Sequence, residues 1–355
     1  MAEKDIHRIA VLTSGGDAPG MNAVVRAVVR MACANGIEVL GINRGYSGLI
    51  NNDFRKLTAR SVDGLLQRGG TVLYTARCAE MMTAEGQQRA ADNCRYLGID
   101  GLVCCGGDGT YRGALSLARL GVPCIGIPGT IDNDIGCTEY TIGFDSASNT
   151  AIQCIDKLRD TMQSHERISV VEVMGRRAGH LALNVGCAVG AAAVLVPEHE
   201  GNFEHDVIEK IRRSRINGRH HHIIIVSEGY SMTTQEVADR VQEETGMDTR
   251  VTILGHIQRG GSPTARDRII ATQMGSYAVH ALMEGKEKRI VAVQHGQIVD
   301  IEIEEALEMK KTLDEALYNA GWKAQFLSGL MMPVLGFVGN LGYVAVAVTG
   351  AFFAV

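Results

Sequence analysis

Strand-length apolar runs recur along this chain, with helical patterns between them. Ile9 to Thr13, Glu38 to Ile42, Gly101 to Cys105, Cys124 to Ile127, Ser169 to Val173, Ala193 to Val196, Ile223 to Ser227 and Val251 to Leu254 read as buried strands. A run that is apolar throughout, rather than alternating, belongs in a sheet covered on both faces, and helical connections between such strands make them parallel. The expected fold class is therefore α/β, with doubly wound, mostly parallel sheets. A long helical stretch, Ala147 to Met162, separates the runs up to Ile127 from those beginning at Ser169. It marks the expected domain junction, with the candidate site in the cleft beside it. The chain has 355 residues, 46% of them hydrophobic, enough for two domains with real cores.

Three of these runs end in glycine-rich segments. Thr13-Ser14-Gly15-Gly16-Asp17-Ala18-Pro19-Gly20-Met21-Asn22 lies between the first run and a helix near Ala23 to Ala34. Glycines let a phosphate approach the backbone, and the helix N-terminus offers free amides. The segment matches neither a Walker loop nor the dinucleotide fingerprint, and a tight strand-to-helix turn accounts for it equally well. Gly106-Gly107-Asp108-Gly109-Thr110 follows the run Gly101 to Cys105 and precedes a helix near Arg112. That places Asp108 at the carboxyl edge of a strand, where ligands of such sheets bind. A divalent cation beside phosphates takes an oxygen ligand of this kind, the alternative being a carboxylate that caps the helix.

Pro128-Gly129-Thr130-Ile131-Asp132-Asn133-Asp134 adds two acids two residues apart. In an extended segment they share a face, and in a turn they diverge. Either can serve as general base toward a hydroxyl, with a solvated turn as the plain alternative. Close backbone approach, a cation-holding carboxylate and a base are together what phosphoryl transfer requires.

The formal net charge of -5 gives no basis for a nucleic-acid partner. The nine Cys follow no zinc or redox spacing, and Cys104-Cys105 sit inside an apolar run, so they read as reduced core residues of a cytoplasmic protein. Met1 to Arg8 is polar and leads straight into a strand, so no signal peptide is expected. His220-His221-His222 also leads into a strand, and alternating faces keep the three rings from meeting at one ion.

From about Ile9 to about Glu308 the chain resembles the bacterial-type ATP-dependent 6-phosphofructokinases. The resemblance is carried by Thr13 to Asn22, Gly106 to Thr110, Pro128 to Asp134, Met174-Gly175-Arg176 and Gly255-His256-Ile257-Gln258-Arg259-Gly260-Gly261. It implies transfer of the γ-phosphoryl group of MgATP to the 1-hydroxyl of fructose 6-phosphate. By resemblance Asp132 is the base, with Thr130 and Asp134 positioning the reacting groups. Asp108 holds Mg²⁺, while Gly15, Gly16, Arg77, Cys78, Gly107, Gly109 and Thr110 line the ATP site. Arg77 and Arg176 suit the charge that develops on the transferred group. Ile131, Met174 and Gly175 help wall the sugar pocket, and Glu228 accepts from sugar hydroxyls.

Arg167, Arg250, His256 and Arg259 answer the sugar's own phosphate, which guanidinium groups bind through paired hydrogen bonds. In the family the counterparts of Arg167 and Arg250 reach in from a neighbouring subunit, which implies a homotetramer with shared active sites. The implied division is residues 1–144 with 257–304 for ATP, and 145–256 with 305–325 for the sugar phosphate. Pyrophosphate-dependent relatives typically carry Asp where Gly109 stands and Lys where Gly129 stands. Glycine at both positions favours ATP. A silent sugar-phosphate sensor is the other alternative, but such a chain would lack part of the base, metal or phosphate set.

Two features depart from the family pattern. The site for nucleoside diphosphate or phosphoenolpyruvate as effectors would use Arg26, Arg30, Arg60, Arg159, Arg219, His220 and His221. Yet Ala192 stands where an acid usually ligates the effector's Mg²⁺, Asn217 replaces a usual lysine, and Ala59 falls at a usual arginine. Altered control by nucleoside diphosphate is expected. After Lys323 there is no charged residue through Val355, and 326–355 is apolar enough for the about 20 residues a bilayer crossing needs. Pro333, five glycines from Gly329 to Gly350 and the lack of flanking basic residues argue against a span. A packed or interface tail, or a recombined terminus, is the expectation, with membrane contact the alternative.

Overall fold

The computed structural model describes residues 6–199 and 201–313. Its strands are β1 (Arg8–Thr13), β2 (Glu38–Ile42), β3 (Phe54–Leu57), β4 (Gly101–Gly106), β5 (Cys124–Pro128), β6 (Ile168–Val173), β7 (Ala193–Leu195), β8 (His222–Ser227), β9 (Thr249–Ile253), β10 (Arg289–Gln294) and β11 (Gln297–Glu302). They form a seven-stranded sheet in the order β11-β10-β5-β4-β1-β2-β3 and a four-stranded sheet in the order β7-β8-β6-β9. All pairings are parallel except β2–β3 and β10–β11, which turn back at the two edges of the larger sheet.

The helices are α1 (Met21–Ala34), α2 (Gly45–Ile50), α3 (Ala84–Tyr96), α4 (Asp108–Arg119), α5 (Phe144–His165), α6 (His180–Val189), α7 (Glu209–Ile216), α8 (Thr234–Thr245), α9 (Ala265–Met283) and α10 (Ile303–Glu308). Alternation along the strands sorts the core into layers. Ile9 and Val11 of β1, Val103 and Cys105 of β4, and Val171 and Val173 of β6 join one central core, which α1, α5, α6 and α9 fill between the sheets. Ala10, Leu12, Leu102 and Cys104 face the opposite way, onto α3 and α4. Val170, Ile224 and Val226 face out onto α8. Both faces of both sheets are thus covered, which is why the strands read as continuous apolar runs.

The expected α/β class is what the chain forms, with three differences in detail. β3, β10 and β11 fall outside the expected set. Val251 to Leu254, expected to be buried, belongs to an edge strand: β9 is half-buried and Ile253 is exposed. The long helix runs from Phe144 to His165, beyond Ala147 to Met162 at both ends, and it packs on α6 and α9. The apolar stretch 326–355 and residues 314–325 lie outside the described residues. Among the described residues no helix is long and apolar enough to cross a membrane.

One buried carboxylate ties the starts of two helices together. Asp267, in the first turn of α9, is fully buried. Its Oδ1 accepts from Tyr140 Oη at 2.6 Å and from Gly143 N at 2.7 Å. Its Oδ2 accepts from Ser146 N at 2.9 Å and Ser146 Oγ at 2.6 Å. Ser146 Oγ in turn accepts from Thr264 N at 2.9 Å. Amides at the first turn of α5 and the cap of α9, which no intrahelical carbonyl can serve, find partners in this one cluster.

Candidate active site

In the larger sheet the chain leaves β1 toward β2 on one side and later returns to β4 on the other, so the loops after β1 and β4 lie side by side at the switch point. Ser14 N donates to Cys105 O at 2.9 Å, and Thr110 Oγ1 donates to Ser14 O at 3.3 Å. The approach is tight enough that a Cβ on Gly106 would sit 2.4 Å from Ser14 O. Thr75 Oγ1 donates to Gly15 O at 2.6 Å, which brings the segment holding Arg77 and Cys78 against Gly15 and Gly16. The three donor-site segments expected from the sequence, Gly15-Gly16, Arg77-Cys78 and Gly107 to Thr110, are therefore neighbours.

Asp108 is the first residue of α4, and the cap position belongs to Gly107, with no side-chain capping bond. The capping alternative for Asp108 is therefore not realised. Burial, and then the charge of Asp134, raise the Asp108 carboxyl above its ordinary value, while Arg112 and Arg176 pull it down. Two acids close enough to oppose each other's ionisation suit a divalent cation. Space supports the donor argument unevenly. A Cβ at Gly109 meets nothing within 4 Å, whereas one at Gly129 would lie 2.7 Å from Cys105 Sγ and 3.2 Å from Met21 Cε.

Asp132 follows β5 in a loop that closes on itself. Asp132 N donates to Thr130 Oγ1 at 3.2 Å, Thr141 Oγ1 donates to Thr130 O at 2.7 Å, and Asn133 adopts a left-handed conformation with φ of 51°. The Asp132 side chain is only 3% exposed, and its Oδ1 is buried without a hydrogen-bond partner. Burial, followed by Asp134, pushes its carboxyl up to about 6, against the opposing pull of Arg176 and Arg259. A carboxylate held near neutrality and short of partners is suited to accept a proton.

The smaller sheet supplies the facing wall. Its strands β6, β8 and β9 are parallel, so Met174, Glu228 and the turn at Gly255 follow them at the same sheet end. Glu228 Oε1 accepts from Gly175 N at 3.2 Å and Arg176 N at 2.6 Å. This holds Gly175 at φ of 146°, where a Cβ would strike Ala178 O at 2.4 Å, and Arg176 at φ of 53°. The strained turn sends Arg176 Nε to 3.5 Å from Asp132 Oδ2. Met174 N is bonded by the fully buried Gln258, at 3.4 Å, which anchors the turn carrying His256 and Arg259. Arg259 Nη1 donates to Asp17 O at 3.1 Å and fills the space beside Gly16. The two arginines thus join the strand ends of one sheet to the loops of the other.

Arg167 and Arg250 are not brought to this place. Arg167 precedes β6, and Arg250 pairs with Ser169 at the start of that strand. A six-residue strand separates them from Met174, roughly 20 Å at the usual rise. Both pair with Asp248, at 2.6 Å and 3.2 Å. The sequence motifs assign no role to Asp248, Gln258 or Arg112. The effector candidates fall on both sheet units: Arg26 and Arg30 on α1, Arg60 in the turn after β3, Arg159 on α5 bonded to Val189 O, and Arg219 to His221 before β8. His222, the first residue of β8, is buried, while His220, which precedes the strand, is exposed. All nine cysteines are free.

Fold and site together define a two-sheet, doubly wound α/β protein with glycine-rich loops and a cluster of acids, one of them the buried Asp132, at the carboxyl ends of its strands. More narrowly, the chain belongs to the phosphofructokinase family, whose model, described as "Phosphofructokinase", matches residues 8–282. It is 53% identical over 312 residues to the ATP-dependent 6-phosphofructokinase of Bacillus subtilis (strain 168), covering 88% of this chain and 97% of the relative. It is 50% identical over 311 residues to that of Clostridium botulinum (strain Loch Maree / Type A3), with the same coverage of 88% and 97%. Among solved structures, phosphofructokinase from Saccharomyces cerevisiae superposes with a TM-score of 0.82 at 38% identity. That match covers 89% of this chain and 47% of the yeast chain, so this chain spans about half the yeast chain's length. A pyrophosphate-dependent phosphofructokinase from Marinobacter aquaeolei aligns with a TM-score of 0.78 over 87% of this chain and 86% of its own, but at 21% identity it speaks to the fold alone.

Proposed function

We propose that this chain is an ATP-dependent 6-phosphofructokinase, forming fructose 1,6-bisphosphate and ADP from MgATP and fructose 6-phosphate. The observation that carries the reading is Asp132: a buried carboxylate with one unpartnered oxygen, between glycine-rich loops and a strained arginine turn. Asp132 takes the proton of the 1-hydroxyl as that oxygen bonds to the γ-phosphorus. The bond from the γ-phosphorus to the bridging oxygen breaks, and ADP leaves with that oxygen. Arg176 and Arg77 face the charge on the transferred group, and Thr130 and Asp134 orient its surroundings. Ile131, Met174 and Gly175 wall the sugar, and the second oxygen of Glu228 is the one left to meet its hydroxyls.

Asp108 is the proposed Mg²⁺ ligand, and a cation there would neutralise the donor's phosphates. Residues 1–144 with 257–304 form the proposed ATP-binding unit and 145–256 the sugar-phosphate unit. Residues 305–313, assigned from sequence to the sugar-phosphate unit, include most of α10, which packs on α4 of the ATP-binding unit. A homotetramer is part of the proposal, supported by Arg167 and Arg250 lying at the far sheet end, where they can complete a neighbouring site. A cytoplasmic location agrees with nine free thiols.

A coupled assay for fructose 1,6-bisphosphate, run with ATP and then with pyrophosphate, tests the reading, with Asp132→Ser as control. Product with ATP alone is expected, and no ATP-dependent product, or full activity of the variant, overturns it. Gly109→Asp sharpens the donor assignment. The open space at Gly109 and its place in the first turn of α4 make an acid tolerable to the fold, so the thermal midpoint should hold. The carboxylate would occupy donor space and lower kcat/KM for MgATP by about 100-fold or more, the scale of loss when a bound substrate is displaced. An unchanged kcat/KM would remove Gly109 from the argument.

Control by nucleoside diphosphate should be weak, because Ala192, Asn217 and Ala59 deprive an effector's metal and phosphates of partners. ADP added at sub-saturating fructose 6-phosphate is the check, and strong activation counts against it.

A further inference from the structure

The catalytic loop is held from behind by a cation that none of the family motifs contains. Lys311, just after α10, places its ammonium 2.7 Å from Asn133 Oδ1, 2.8 Å from Thr138 O and 3.1 Å from Glu139 O. An ammonium has three donors, and all three are used here. Asn133 stands between Asp132 and Asp134 and is the one non-glycine residue of this loop with positive φ. Thr138 and Glu139 belong to the return of the same loop, which is fastened to the larger sheet by Val293 N donating to Thr138 Oγ1 at 2.9 Å and Glu139 N donating to Val293 O at 2.9 Å. The crossing segment lies so close that a Cβ on Gly136 would meet Met309 O at 2.1 Å.

We propose that Lys311 is a positioning residue for the phosphoryl transfer, clamping Asn133 in its left-handed turn and thereby fixing where the Asp132 and Asp134 carboxylates point. The inference rests on the function proposed above and extends it to the segment after α10. Lysine suits the place: it spans from a surface strap to an interior loop, and its point charge serves three acceptors that no single planar group could reach at once. Burial lowers the ammonium to about 8, opposed by the charges of Asp134, Cys137 and Glu139. Its worth to the loop is the ordering of a side chain and a turn that would otherwise sample other states.

The test uses the full chain. Lys311→Met should lower kcat by about 10- to 100-fold, the usual range for removing a residue that orients a reacting group, with KM for MgATP and fructose 6-phosphate within about threefold. Lys310→Met, at an exposed neighbour, should leave both unchanged. Asn133→Ala should cost a similar factor, and the double variant no more than the larger single loss, because the two act through one contact. Amide exchange at residues 130–134 should accelerate in Lys311→Met, a readout that needs no turnover. Lys311→Gln, which keeps two N–H donors, is the milder variant should Lys311→Met not fold, and an intermediate kcat is expected. A kcat within twofold of wild type, losses that multiply in the double variant, or unchanged exchange overturns the proposal. An inactive wild type would instead overturn the function, so the two failures are distinct.

Discussion

Asp132→Asn should lose between about 10² and 10⁴ in kcat and at the same time melt at a higher temperature than the wild type. The rate loss follows from removing the proposed acceptor of the hydroxyl proton. The stability gain follows from burial. In the folded chain the Asp132 carboxyl is raised from 3.8 to about 6 by desolvation and by Asp134. A folded pKa above the unfolded one means that the native state holds the proton more tightly. The stability this group contributes is present below about pH 4 and is lost as pH rises through about 6. At neutral pH the ionised Asp132 therefore costs on the order of 3 kcal/mol, which asparagine, of the same shape and uncharged, does not incur.

Two measurements check this. Thermal midpoints of both proteins between pH 4 and 7 should diverge in favour of the variant as pH rises. The kcat/KM profile of the wild type should fall on the acid side with an apparent pKa about 6, because the base works only when deprotonated. A variant that is both inactive and less stable at pH 7 would mean that Asp132 is structural. A wild-type profile flat to pH 5 would mean that another group takes the proton.

What could be read in the sequence was what local composition determines. Seven strands were visible because sheets buried on both faces require unbroken apolar runs, the edge strand β9 showed only through Val251 and Ile253, and the acids were visible because glycine and hydroxyl groups surround them. β3 escaped because Phe54-Arg55-Lys56-Leu57 is an exposed edge, with three of four residues facing water. The β10–β11 hairpin did leave a signal, the His295-Gly296 pair with φ of 50° and 72°, which is the two-residue turn that such hairpins favour. At the site, sequence motifs located Asp108, Asp132 and Arg176 but not the contacts that aim them. Glu228 acts on a turn more than fifty positions away, and Lys311 reaches back 178 positions to Asn133. Such pairs are made by the fold, through partners that nothing near them in sequence announces. Arg167 and Arg250 show the same limit from the other side: guanidinium chemistry fits them to phosphate, yet the sheet sets them apart from Asp132 within one chain.

Asp267→Ala should be the most destabilising single change in the described core, by about 3–5 kcal/mol. The carboxylate receives four hydrogen bonds, two of them from backbone amides at the start of α5. Burial pushes its carboxyl up while those donors pull it down, so charge and hydrogen bonds must be kept together. Asn is no remedy. Gly143 N–H faces one oxygen and Ser146 N–H the other, so either orientation of the amide sets an NH₂ against a backbone donor. Tyr140 and Ser146 hydroxyls can rotate away, but the amides cannot. Asp267→Asn should therefore lose most of what Asp267→Ala loses, and both should lower the apparent melting temperature by roughly 5–10 °C. Glu at this position would add a methylene to a fully buried site and push its oxygens past these donors. The consequence reaches the chemistry, because Gly143 ends the loop that begins at Gly129 and carries Asp132. At temperatures where the variants remain folded, amide exchange at 141–146 should rise, and kcat should fall more than KM changes. A melting temperature within about 2 °C of wild type for Asp267→Asn would mean that the cluster is dispensable and that packing of α5 against α9 alone holds the two helix starts in place.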